Sequence, residues 1–135
     1  MYDKALKQAL GKVLARHPRI LIMSDEIYEK IIFDGAEFTA FASACPDLVD
    51  RILTVNGVSK AYAMTGWGIG YGAGPAPLIM AMVTVQSQIS SGACSIAQAA
   101  ATAALTGPQD NVEVFERRSN AAVIWWLTLS PTFPV

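Results

Sequence analysis

The residues with types and positions suited to chemistry are Lys60, Asp25 and Tyr28. Lys60 sits among small or apolar neighbours: Val58, Ser59, Ala61, Ala63 and Met64. A lysine desolvated in such company loses proton affinity and becomes a nucleophilic amine. Amines of that kind form Schiff bases with carbonyl compounds. A solvated surface lysine is the plainer alternative. Asp25 and Tyr28 lie in SDEIYEKIIFDG, residues 24–35, directly after the apolar run RILIM. Asp25 reads either as an exposed turn acid after a strand or as a buried carboxylate facing a cation. Tyr28 taken alone reads as a packed aromatic with a wet hydroxyl. Glu26, Glu29 and Lys30 read as solvated, and His17 as a cation or cap at a helix C-terminus.

The elements that must position these groups follow from periodicity. Leu6, Ala9, Leu10, Val13 and Leu14 recur at helical spacing, predicting an amphipathic helix over residues 3–16. His17-Pro18 ends it. RILIM (19–23) and RILTVNG (51–57) read as strands of the kind buried on both faces of a parallel sheet. Between them, FTAFASACPDLVD (38–50) reads as a loop with a short helix. GWGIGYGAG (66–74) is a candidate third strand. Helices are expected over 78–90 and 93–105, and another from near Asp110 through VEVFERR. Helix–strand alternation argues α/β with a mostly parallel sheet. In such sheets ligands bind beyond the carboxyl ends of the strands. Asp25 lies just past one such end and Lys60 just past another.

Composition narrows the function classes. Charged residues make up 16% of the 135-residue chain, against about 25% in a typical soluble domain. The hydrophobic fraction is 53%, more than a lone domain of this size needs. Such surface is buried against a partner or belongs to something larger. The net charge of −1, with no basic run, favours neither nucleic acid nor an anionic membrane. Cys45, Cys94 and a single histidine form no zinc pattern, and two reduced thiols fit a cytoplasmic protein. MYDKALKQAL lacks the apolar core of a signal peptide. The apolar-rich region 75–105 is broken by Gln86, Ser87, Gln88, Ser90, Ser91 and Gln98, too polar for a membrane span of about 20 residues. Gly68-x-Gly70-x-x-Ala73 matches a relaxed dinucleotide-binding pattern, but Pro75 and Pro77 follow it and the next acid is Asp110.

Taken together, SDEIYEKIIFDG and VNGVSKAYAMTGWGIGY (55–71) resemble the class I aminotransferases, fold-type I enzymes that use pyridoxal 5′-phosphate, and among them the aspartate aminotransferase branch. The resemblance covers roughly residues 1–118. It implies part of the cofactor-binding large domain there, followed by a divergent tail over 119–135, SNAAVIWWLTLSPTFPV, with no clear helical or strand period. By this resemblance Asp25 matches the aspartate that keeps the cofactor's pyridinium nitrogen protonated, so that the ring acts as an electron sink. Tyr28 matches the tyrosine that hydrogen-bonds the cofactor's phenolic oxygen. Lys60 matches the lysine that carries the cofactor as an internal aldimine and then moves a proton from the substrate α-carbon. The implied function is transamination between an amino acid and a 2-oxo acid, by a homodimer.

The sequence departs from the family in two ways. The family usually reads G-W-R-I-G-Y, with an arginine that clamps the cofactor phosphate; here the position is Gly68. Losing such a charge-assisted pair costs about 1.5–3 kcal/mol of cofactor binding. The family's phosphate-cradling loop, its ring-stacking aromatic and the small-domain arginine for the substrate carboxylate also have no counterpart in these 135 residues. The alternative expectation is therefore a catalytically inactive remnant or interaction fragment of such an enzyme, poorly soluble by itself.

Overall fold

The structure, a computed structural model, describes residues 2–33 and 35–129. Helix α1 (Lys4–Ala15) opens on Asp3, whose carboxylate accepts the Leu6 N–H at 2.7 Å, satisfying one of the free donors of the first turn. Its end is held from a distance. The Arg51 guanidinium donates to the carbonyls of Leu14, His17 and Ile20, at 3.0, 2.8 and 3.0 Å. The cation that reaches these end carbonyls is Arg51, while His17 meets the same helix end through its backbone, its N–H donating to the Leu14 carbonyl at 3.0 Å.

Strand β1 is Ile22–Asp25, shorter and later than RILIM suggested. Residues 16–20 turn instead, and the Ile20 carbonyl is spent on Arg51 rather than on a strand ladder. Helix α2 (Phe41–Ala44) and a 3₁₀ turn (Pro46–Arg51) lead into β2 (Ile52–Gly57). A second 3₁₀ turn (Thr65–Trp67) precedes β3 (Gly70–Ala73). β1 pairs parallel to β2, with Ile22 opposite Ile52 and Asp25 opposite Val55. β3 pairs antiparallel to β2, with Asn56 opposite Tyr71 and Gly57 opposite Gly70. The three-stranded order is β1-β2-β3. One of the two pairings is therefore parallel. The antiparallel β3 is also no strand of a parallel β-α-β unit, which removes the structural setting that the dinucleotide pattern requires.

Helix α3 (Ala76–Ile89) starts two residues earlier than expected. Pro75 caps it and Pro77 lies in its first turn, where a missing N–H costs nothing. Helix α4 is Ser95–Thr106 and α5 is Asp110–Leu129. α5 crosses residue 118 without a break, so helix reaches well into the segment for which no period was legible.

Packing is concentrated in two small clusters. Phe41, Ala44, Cys45, Leu48 and Ile52 form the first, with Leu14 and Ile22 against them. Val58, Ile69, Ala97 and Ala101 form the second, with Tyr62 and Met64. Burial on both faces of the strands is not what β1 shows. Ile22 packs on the first cluster, whereas Met23 is 71% exposed, because no described residue covers that face.

Candidate active site

Asp25 is the last residue of β1, at the carboxyl end of the parallel pair. Its side chain is exposed, and Oδ1 accepts the Ile27 N–H at 3.1 Å. That local bond turns the chain off the sheet. The Glu26 N–H donates to the Val55 carbonyl at 2.8 Å, one rung beyond the ladder. Tyr28 follows in the turn, about half exposed.

Lys60 lies three residues past the end of β2, in a turn closed by the Ala63 N–H on the Lys60 carbonyl at 3.2 Å. Ala63 has φ +52°, a left-handed conformation that costs a non-glycine residue roughly 1–2 kcal/mol. Strain of this kind persists where the surroundings over-determine it. Here Val58 is fully buried below the turn, and the Thr65 hydroxyl donates to the Ser59 carbonyl at 3.1 Å. The Tyr62 hydroxyl donates to Gln109 Oε1 at 2.8 Å, and Gln109 in turn donates to the carbonyls of Ala104 and Gly107. The lysine turn is thereby tied to the junction of α4 and α5.

The two turns meet. Lys60 Nζ stands 5.8 Å from the centroid of the Tyr28 ring, within the range of a cation–π contact. Both residues line a cleft of about 420 Å³ with Ser59, Thr65, Phe115 and Ser119. Asp25 lies on an adjoining cleft of about 730 Å³, which shares Tyr28 with the first. Lys60 is half-buried, between the solvated and desolvated extremes. The structure thus brings Tyr28 and Lys60 together and sets Asp25 one cleft away.

Sequence reasoning missed several supports. Glu26, expected in solvent, is 6% exposed. Its Oε1 accepts the Phe41 N–H at 2.8 Å and the Ser24 hydroxyl at 3.0 Å. Asn120 donates to the Ile32 carbonyl at 3.2 Å across 88 residues, and Ser119 lines the lysine cleft, so the start of the presumed tail reaches the site. Tyr71 on β3 has its phenol pushed up by burial and then by the Glu29 carboxylate and Tyr62. No local signal in the sequence marks the Phe41 bond to Glu26 or the Asn120 bond to Ile32, since those partners lie 15 and 88 residues apart.

The residues present suit one half of a pyridoxal phosphate site: an amine, an aromatic hydroxyl beside it and a carboxylate at the neighbouring strand end. Gly68, where the resemblance expects a phosphate-binding arginine, has φ +62°, and no atom lies within 4 Å of where a Cβ would stand.

Comparison with known proteins gives a consistent answer. The model of aminotransferase class I and II matches residues 2–125. An aspartate/prephenate aminotransferase of Cereibacter sphaeroides is 56% identical over 126 residues, covering 90% of this chain and 32% of that protein. An aspartate aminotransferase of Rhizobium meliloti is 52% identical over 126 residues, covering 90% of this chain and 31% of that one. A crystal structure of the aspartate aminotransferase from Rhizobium meliloti superposes with TM-score 0.84 at 50% identity, over 87% of this chain and 29% of the other. The chain spans about a third of the length of these curated relatives. With its fold, its strand-end lysine and tyrosine, and these matches in agreement, the chain belongs to the class I and II aminotransferase family.

Proposed function

We propose that this chain carries the lysine-bearing part of a pyridoxal 5′-phosphate-dependent aminotransferase site, acting on an aspartate-like amino acid and a 2-oxo acid. The supporting observation is the meeting of Lys60 and Tyr28 beyond the carboxyl ends of β1 and β2, with Asp25 at the end of β1. When bound, pyridoxal phosphate supplies an electrophilic carbonyl carbon and a ring that accepts electrons from the substrate α-carbon. Lys60 holds the cofactor through its Nζ and, once freed by the incoming amino acid, takes the proton from the substrate α-carbon. The Tyr28 hydroxyl donates to the cofactor's phenolic oxygen. The Asp25 carboxylate keeps a proton on the ring nitrogen. A cytoplasmic homodimer, residues 1–118 as part of the large domain and a divergent tail from 119 belong to the same proposal.

The test is a visible absorption spectrum of the purified chain with pyridoxal 5′-phosphate, beside a Lys60→Ala control. A band that needs Lys60 and bleaches with aspartate is the expected result. Its absence leaves the second reading, an inactive remnant, which the missing guanidinium at Gly68 favours. Gly68→Arg probes that reading directly. Space is open there, and a phosphate pair contributes about 1.5–3 kcal/mol, but the left-handed backbone takes back roughly 1–2 kcal/mol. The expected outcome is a tightening of cofactor binding by no more than about 2 kcal/mol, measured by titration of the same band. A tightening of about 3 kcal/mol would show that the turn relaxes freely on substitution.

A further inference from the structure

Glu26 stands between Asp25 and Tyr28 in sequence, yet it is 6% exposed, at the wall of the larger cleft. Burying a carboxylate is costly unless donors surround it. The donors here are neutral: the N–H of Phe41, first residue of α2, at 2.8 Å, and the Ser24 hydroxyl at 3.0 Å. Both bonds converge on Oε1, and among the described residues no buried side-chain oxygen or nitrogen lacks a partner. The backbone of Glu26 is used as well. Its N–H extends the pairing with β2 through Val55, and its carbonyl accepts the Glu29 N–H at 2.9 Å, closing the turn that carries Tyr28. One residue therefore ties the strand end, the Tyr28 turn and the buried start of α2 together. The Asp25 side chain makes one local bond and Tyr28 is half exposed, so where the two side chains lie depends on the backbone that carries them.

We propose that Glu26 is a positioning residue for this site: its Oε1, anchored on the Phe41 N–H, sets where the end of β1 and the following turn hold Asp25 and Tyr28 relative to Lys60. The role needs an acceptor of the right reach and does not need the charge. It rests on the reading of Asp25, Tyr28 and Lys60 as the cofactor site.

Two substitutions in the full chain separate reach from charge. Glu26→Gln keeps the reach and an oxygen acceptor but loses the charge. Glu26→Asp keeps the charge and falls one methylene short. Two readouts are taken well below the melting temperature: the dissociation constant for pyridoxal phosphate from the Lys60-dependent band, and amide hydrogen exchange of residues 25–31 and of Phe41 relative to β2. The expected result is binding within about threefold of the parent for Gln. For Asp it is a loss of about tenfold or more, the scale of an unmade buried hydrogen bond, with faster exchange confined to residues 25–31 and Phe41. The reverse order, Asp near the parent and Gln weak, overturns the proposal in favour of a charge role. Equal binding and equal exchange in all three proteins also overturn it. If the parent chain shows no Lys60-dependent band, the cofactor reading has failed by itself. The exchange arm then decides the anchor alone: local loosening in Asp that Gln does not share supports it, and its absence overturns it.

Discussion

The cluster beneath α1 and the surface of α3 are built from similar residues and end in opposite places. Phe41, Ala44, Cys45, Leu48 and Ile52 are all buried. In α3, Met80, Met82, Val83, Val85 and Ile89 are all exposed, Ile89 by 80%, and no residue of the helix is buried. Apolar composition alone therefore does not make a core; it needs facing elements. A helix with apolar residues all round is at home inside a larger body, and the curated relatives are about three times as long as this chain. The first cluster has its facing elements within these residues, since α1, α2 and β2 close on one another.

Substitution can break this contrast, beginning with its strongest side. Ile52→Ala, at 2% exposure, should cost about 2–5 kcal/mol by removing buried methyl groups and leaving a cavity. Denaturant unfolding checks it, and a cost below about 1 kcal/mol would mean that the first cluster is no tighter than α3. Gly11→Ala comes next. A Cβ there runs into Cys45 Sγ, so overpacking should cost about 1–3 kcal/mol in the same assay. The thiols sharpen the comparison kinetically. Burial, with Asp47 nearby, pushes the Cys45 thiol up, whereas the N–H groups of Ala97 and Ile96 lower the exposed Cys94 thiol. More thiolate at Cys94 near neutral pH means faster alkylation, so peptide mapping should find Cys94 modified first and Cys45 only after unfolding. Ile89→Ser should be the mildest, within about 0.5 kcal/mol, with improved solubility as its visible effect. A loss above about 2 kcal/mol would show that α3 has a partner surface in solution.

Legibility in the sequence followed the range of the interaction. The helical period of α1 and the two parallel strands were readable, because periodicity is local; Tyr28 and Lys60, 32 residues apart, were brought to one site only by the family resemblance. The start of β1 was not, because Arg51 diverts the Ile20 carbonyl from 31 residues away. Glu26 was misread as solvated because its donor, the Phe41 N–H, lies 15 residues on. Pro77 was read as a barrier although the first turn of a helix accepts proline. The continuation of α5 past Arg118 was hidden because SNAAVIWW carries no polar face to set a period.

The Arg51 staple also has a direction in time. Synthesis runs from the N-terminus at about 5–20 residues per second, and Arg51 follows Leu14 by 37 residues. The closing turn of α1 therefore spends roughly 2–7 s of translation without the group that finishes it. Helix α1 is completed only when the strand that will stand beside β1 begins to leave the ribosome.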